Sequence, residues 1–232
     1  MVLQKEHIRW NGMPPAHRRV PVWDLPTRLF HWLGAALVLA AYGSWRLNWM
    51  LWHLYIGLAL LALVIFRLLW GVWGSESARF SRFLARPGAA LRHLAHLFER
   101  TPDREAGHNP AGGWMVVILL ALLLGETLSG IYVNNDVANE SALTELIPPV
   151  IANAITDLHT ILWWALVAAI ALHVAAILVY AVAKGQNLTR PMLTGAKTLP
   201  PEIAPPRFAP LGRALALLAA SIATALALGA AL

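Results

Sequence analysis

The run from Asp157 to Lys184, DLHTILWWALVAAIALHVAAILVYAVAK, limits most strongly what this chain can become. No Asp, Glu, Lys or Arg stands between its two charged ends. About 20 consecutive apolar residues suffice to cross a bilayer as a helix. Inside the run stand His159 and His173. An ionisable side chain within a span is costly and reads first as functional. The two histidines are fourteen residues apart, close to four helical turns. They therefore share one face, about 21 Å apart along the axis. One helix thus offers a ligand near each membrane surface.

The whole chain, 58% hydrophobic and 13% charged, has a membrane composition. It contains no cysteine. That excludes thiolate-held iron–sulfur clusters, disulfides and covalent c-type haem attachment. A metal or haem must be held by histidine, methionine or oxygen. The first thirty residues are polar and basic, without an early apolar core, so no cleavable signal peptide is expected.

Residues 1–26, with Pro14, Pro15, Pro21 and Pro26, read as an irregular cytoplasmic arm. Thr27–Trp45 reads as a first span with His31 one turn in, and Arg46–Asn48 as a tight turn. Trp49–Trp73 is a second span with His53 one turn in. Residues 74–109 form a polar connection, in which 87–100 has helical periodicity and suits the membrane surface. His93 and His96 lie there among arginines and read as solvated. Pro110–Val133 is a third span started by Asn109-Pro110. Residues 134–156 read as a loop with at most a short helix, and the fourth span follows. Residues 198–210 make a proline-rich linker, and 211–232 an additional apolar helix long enough to cross.

Charge orients these spans. The arm and the start of span one carry Lys5, Arg9, Arg18, Arg19 and Arg28. The inner end of span two and the connection after it carry Arg67, Arg79, Arg82, Arg86, Arg92, Arg100 and Arg104. The segment after span four carries Lys184, Arg190, Lys197, Arg207 and Arg213. The other two connections hold Arg46 alone, with Asp136, Glu140, Glu145 and Asp157. The excess of cytoplasmic Lys and Arg predicts a cytoplasmic N-terminus and a multi-pass protein of the bacterial inner membrane. The net charge of +6 is then a topology signal, and nucleic acid is not the expected partner.

Depth pairs the histidines. His31 lies fourteen residues before Trp45, and His173 sixteen after Asp157, so both sit about 21–24 Å below the outer surface. His53 and His159 both lie near that surface. Two neutral imidazoles from facing helices suit six-coordinate haem b. The expected inner pair is His31 with His173, and the outer pair His53 with His159. Gly34 and Gly57, one turn from their histidines, leave room for a flat macrocycle. The competing readings are four unrelated core histidines, or a zinc or iron transporter. The latter would normally want a carboxylate among the histidines. The only acid within a span is Glu126, without a matching partner.

Val22-Trp23-Asp24-Leu25-Pro26-Thr27-Arg28-Leu29-Phe30-His31-Trp32 resembles the opening of bacterial cytochrome b561-type proteins. That group includes the b-type cytochrome subunits of membrane nickel–iron hydrogenases and, more distantly, formate dehydrogenase gamma subunits. Residues 107–114 (GHNPAGGW), Lys184-Gly185-Gln186-Asn187-Leu188 and Arg190-Pro191-Met192 are similar to the hydrogenase cytochromes. The resemblance covers roughly residues 20–197. It implies an all-α four-helix transmembrane bundle, here residues 27–197, holding two haems b, with the apolar helix at 211–232 as a departure.

The resemblance further implies quinone exchange near the inner haem at the start of the third helix, which points to Asn109 and Gly112. Asn109 is equally well read as a helix cap. Arg28 and Arg67 are either propionate contacts or snorkelling anchors. Glu126 is either a proton carrier, a propionate neighbour or a neutral hydrogen-bonded acid. The expected function is electron transfer between a periplasmic redox partner, hydrogenase-like or a c-type cytochrome, and the quinone pool. The chain would then be an electron-transfer subunit of an oxidoreductase complex. Two alternatives are a self-contained superoxide oxidase reducing ubiquinone and a haem-stabilised membrane anchor. The paucity of basic residues in the outer loops weighs against steering an anionic substrate there.

Overall fold

A computed structural model describes residues 18–96, 105–133 and 148–230. The elements run β1 (Arg18–Pro21), α1 (Leu25–Arg46), α2 (Met50–Trp73), a 3-10 turn (Glu76–Ala78), α3 (Phe80–Phe83) and α4 (Pro87–Ala95). There follow α5 (Pro110–Ser129) with a 3-10 extension (Gly130–Tyr132), α6 (Pro149–Ala183), α7 (Thr189–Thr194), β2 (Ala196–Leu199) and α8 (Leu211–Gly229). Among the described residues, four stretches are long and apolar enough to cross a membrane: Met50–Trp73, Pro110–Tyr132, Pro149–Ala183 and Leu211–Gly229. α1 has 22 residues, a spanning length of about 33 Å. Its Arg28, His31 and outer Tyr, Ser and Trp residues make it less apolar than those four.

The helix ends follow from local chemistry. Asp24 caps α1: its carboxylate accepts from the Thr27 N–H at 2.8 Å. Pro26 sits in the first turn, where no N–H is needed. At the other end Asn48 takes a φ of 56°, a left-handed turn that asparagine tolerates. The Trp49 N–H then donates to the Ser44 carbonyl at 2.8 Å, closing the α1–α2 hairpin. Trp45, Trp49, Trp52 and Tyr55 are exposed around this end. Exposed aromatics of this kind suit a membrane–water interface.

At the opposite end the polar segments join. β1 and β2 pair antiparallel, with Val20 opposite Lys197. The Gly195 carbonyl accepts from the N–H groups of Val22 and Trp23. Gly195 ends α7 at a φ of +81°, and a Cβ there would lie 3.0 Å from the Trp23 carbonyl oxygen. Val20, Val22, Trp23 and Leu199 form a small core of their own. The Arg207 N–H donates to the Glu76 carboxylate, and the Ala209 N–H to the Ser75 hydroxyl, both at 2.9 Å. Lys197 donates to the carbonyls of Gly107 and Glu105. The three segments rich in basic residues are thus one cross-linked cap. Backbone groups leaving an apolar phase must find partners, and here they find each other.

Several sequence expectations change. The arm is not wholly irregular, because Arg18–Pro21 is a strand. The linker begins later than residue 198, because Thr198 and Leu199 belong to β2. Both short segments are recruited by a partner far along the chain, which local pattern does not report. The fourth helix starts at Pro149 rather than Asp157, with proline in its first turn. Residues 1–17, 97–104 and 134–147 lie outside the described residues, so most of the arm and of the expected 134–156 loop does too.

α8 packs along α2, which makes it neither purely lipid-facing nor a free partner surface. Ala214, Ser221 and Ala225 are buried in the contact. At Gly229 a Cβ would come within 2.8 Å of Leu58. Small residues let the two backbones approach where lipid gives no hydrophobic drive. Inside the cap end, Trp70 is fully buried and its indole N–H donates to Asp24 at 3.0 Å. Asp24 therefore serves two helices. Asp24→Ala is expected to lose the cap, worth about 1 kcal/mol, and to strand a buried indole N–H, worth about 1–3 kcal/mol. The measurement is the thermal midpoint in detergent, which should fall by several degrees, with the conservative Asp24→Asn falling less.

Candidate haem-binding site

α6 carries the organising pattern. Its buried residues are Ala152, Leu166 and Tyr180. His159 and His173 fall between them, so one stripe recurs every seven residues: 152, 159, 166, 173, 180. A straight helix drifts only about 20° per seven residues, so the stripe stays on one side. Leu166, 1% exposed, separates the two histidines.

The structure brings the histidines together in the pairs that depth predicts. The ring centroids of His31 and His173 are 6.3 Å apart. Those of His53 and His159 are 6.5 Å apart. Two histidine–metal bonds of about 2.0 Å, with about 1.2 Å from each bonded nitrogen to its ring centroid, give about 6.4 Å. Each pair therefore has the separation that one iron between two imidazoles needs. Nothing lies within 4 Å of where a Cβ would stand on Gly34 or Gly57, although Gly34 is buried. Open space beside a buried glycine suits a macrocycle. Among the described residues, no group of three or more His, Asp or Glu side chains is placed to hold a metal ion.

The outer rings are held. His53 Nδ1 lies 3.0 Å from the Ala41 carbonyl oxygen and 3.4 Å from the Ser44 hydroxyl. His159 Nδ1 lies 3.0 Å from both the Glu126 carbonyl oxygen and the Ser129 hydroxyl. A proton on Nδ1 donated to a carbonyl leaves the Nε2 lone pair for a metal. Gly130 lets α5 come this close: a Cβ there would lie 3.2 Å from the His159 ring. Of the inner pair, His31 Nδ1 is buried without a hydrogen-bond partner.

Glu126, undecided from sequence, faces the outer pair. Its Oε1 lies 3.4 Å from His159 Nε2, and its Oε2 is buried and unpaired. Arg67 follows His53 by fourteen residues, as His173 follows His159, and so descends to the inner level. It is 2% exposed, donates to the Ala78 carbonyl at 3.2 Å and lies over the Phe80 ring. That burial rules out snorkelling. Arg28 donates to the Leu193 carbonyl at 2.5 Å, which ties α1 to α7, and its Nε is buried and unpaired.

The model for prokaryotic cytochrome b561 matches residues 22–195. The chain belongs to the prokaryotic cytochrome b561 family. It is a membrane b-type cytochrome of electron transport, multi-pass in the inner membrane. The searches of curated proteins and of solved structures gave no match. The matched stretch runs from the start of α1 through α7 and leaves α8 outside.

Asn109 caps α5, its Oδ1 accepting from the Gly112 N–H at 2.7 Å. Its amide nitrogen donates to the Tyr180 hydroxyl at 2.6 Å. A Cβ on Gly112 would lie 3.1 Å from Asn109 Oδ1. His93, expected in solvent, instead lies 2.5 Å from the same hydroxyl through Nε2. α4 folds back over the end of α6, which periodicity within α4 does not reveal.

Sequence reasoning also passed over His108 of the GHNPAGGW stretch. Its ring packs 4.5 Å from Trp23 and 4.6 Å from Phe83, and its Nδ1 is buried without a partner. Its position beside Asn109-Pro110, in an otherwise small-residue run, was the available signal. Burial, then the charges of Arg67, Lys197 and His173, push its pKa from 6.5 down to about 3. The folded protein keeps His108 neutral while the unfolded chain protonates it. Stability is therefore full above pH 6.5 and is progressively lost as pH falls from 6.5 towards about 3. His108→Gln is expected to lessen the acid loss; thermal midpoints between pH 7 and pH 4 check it.

Proposed function

We propose that this cytochrome holds two haems b. His53 and His159 would ligate an outer haem, and His31 and His173 an inner one. It would pass electrons between a periplasmic redox partner, hydrogenase-like or a c-type cytochrome, and the quinone pool. The observation that carries this reading is the pair of cross-helix imidazole separations, 6.3 and 6.5 Å, each matched to one iron. Bound haem supplies one-electron redox chemistry, and the protein supplies ligands, spacing and a dry surround. The backbone carbonyls of Ala41 and Glu126 fix the outer ring tautomers. Leu166 and neighbouring apolar side chains keep water from the space between the sites. Arg28, one turn before His31 with an unpaired Nε, and buried Arg67 would donate to the propionates of the inner haem.

α1, with the three spanning helices of the family match, forms the bundle, and α8 crosses beside α2. The N-terminus is cytoplasmic because the arm, the 74–109 connection and the segment after α6 hold nearly all the basic residues. Quinone exchanges at that side, near Asn109 and Gly112.

Four measurements test this. A pyridine haemochrome assay should give two haems b per chain. One or none overturns the dihaem reading. His159→Ala and His173→Ala should each remove one low-spin signal while the other keeps its spectrum. Stopped-flow mixing of the His173→Ala variant with quinol should leave the outer haem unreduced, while the His159→Ala variant should still show inner-haem reduction. A C-terminal reporter active only in the cytoplasm should be silent, since α8 brings the chain end to the periplasm.

A further inference from the structure

Beside the loop that starts α5, the cap holds a partly open cavity of about 370 Å³. Cavities of this size take small organic ligands. Its walls come from three segments far apart in sequence: the turn after α2 with α3, the loop before α5, and the linker before α8. Phe83, Pro205 and Pro206 supply apolar wall. Ser77 and His108 border the same space. Ser77 is buried, and its hydroxyl has no hydrogen-bond partner. His108 is half-buried, and its Nδ1 is buried without a partner. The two segments touch, since a Cβ on Gly107 would lie 4.0 Å from the Ser77 carbonyl oxygen. The His108 ring lies 4.6 Å from that of Phe83. Buried polar atoms normally find partners, so two left over beside one cavity suit a site that a bound group completes.

The residue types narrow the ligand. A serine hydroxyl and a neutral imidazole can each donate or accept a hydrogen bond. Burial keeps His108 neutral in the folded protein. Arginine and lysine only donate, and a carboxylate only accepts. Two groups that can do either serve a ligand whose own oxygens change from acceptors to donors. A quinone does this when it becomes a quinol. Glu76 and Arg82, which also border the cavity, already face each other at 3.5 Å, and Glu76 accepts from the Arg207 N–H as well. Glu105 is exposed, so the cavity meets water. His108 is also near enough to His173 and Arg67 to feel their charges. The cavity thus adjoins both water and a histidine of the inner pair.

We propose that this cavity seats the quinone head group, with Ser77 and His108 hydrogen-bonding its oxygens. The proposal rests on the quinone reading above and names side chains that would hold the ring. Both groups donate to the oxygens of quinone, and both accept from the hydroxyls of quinol. Reduction takes two electrons from the cytochrome and two protons from water at the open side, and forms two O–H bonds. Oxidation reverses this. Ser77 and His108 gain and lose no net proton, so they are positioning residues.

The test uses the full-length, haem-loaded protein in detergent. The probes are a short-chain benzoquinone and a short-chain naphthoquinone, tried separately. On irradiation, an azido derivative of the quinone that binds should label residues 76–83, 105–108 or 204–206. Ser77→Ala and His108→Phe should each weaken equilibrium binding about tenfold, as the loss of one hydrogen bond does. His108→Gln, which can still donate and accept, should stay within about threefold of the parent. Ala204 is an exposed part of the wall, so Ala204→Trp fills the cavity without touching either polar group. It should abolish binding while haem content and spectrum match the parent. A parent that binds neither quinone overturns the quinone reading and this site together. Parent binding with the label confined to other segments, or undiminished in Ala204→Trp, overturns the site and leaves the quinone reading standing. Should His108→Phe lose haem, the label and Ala204→Trp decide between these outcomes.

Discussion

The separation of two imidazole rings across a helix interface is the constraint on which the rest depends. It must hold at two depths on one helix. A rigid helix supplies the depth, since rise per residue is fixed. The lateral distance comes from whatever keeps α6 at the right spacing from α1 and α2. In this chain α5 braces α6 from the side, through small residues. Nothing lies within 4 Å of where a Cβ would stand on Gly34 or Gly57, while Gly125 and Gly130 let α5 press on Leu162 and His159. Lack of bulk leaves room in one place and closes a contact in another.

Polar groups in such an interior are affordable only when they are satisfied. The outer rings meet this by giving Nδ1 to backbone carbonyls of the hairpin and of α5. Asp24 meets it by accepting from a helix start and an indole together. Arg67 meets it with a carbonyl and an aromatic face. The unpaired atoms are informative by contrast. Those of His31, Arg28 and Glu126 lie on residues of, or next to, the paired-histidine sites. Buried polar atoms without a partner in the protein suit a site that a bound group would complete.

The polar cap does a different job. Three segments distant in sequence are cross-linked by β1–β2 pairing, by Glu76 and Ser75 to the segment before α8, and by Lys197 to the loop before α5. That loop carries His108 and Asn109, so the cap sets the start of α5. It also places Asn109 against Tyr180 and, through α4, His93. α8, outside the family match, stiffens α2 by close packing rather than adding to the histidine sites.

The sequence by itself determined the membrane class, the spans, the depths and hence which histidines share a level. Each follows from one-dimensional quantities: length, charge placement and 1.5 Å per residue. The fourteen-residue repeats from His159 to His173 and from His53 to Arg67 were legible for the same reason. Only the tertiary structure decided what lies sideways. Arg18–Pro21 is a strand because residues 196–199 arrive beside it. His93 points at Tyr180 because α4 folds over α6, and Glu126 at His159 because glycine lets α5 approach. Helical pitch is a local property and can be read from spacing. Lateral contact depends on which helices pack and how closely, which no single segment encodes.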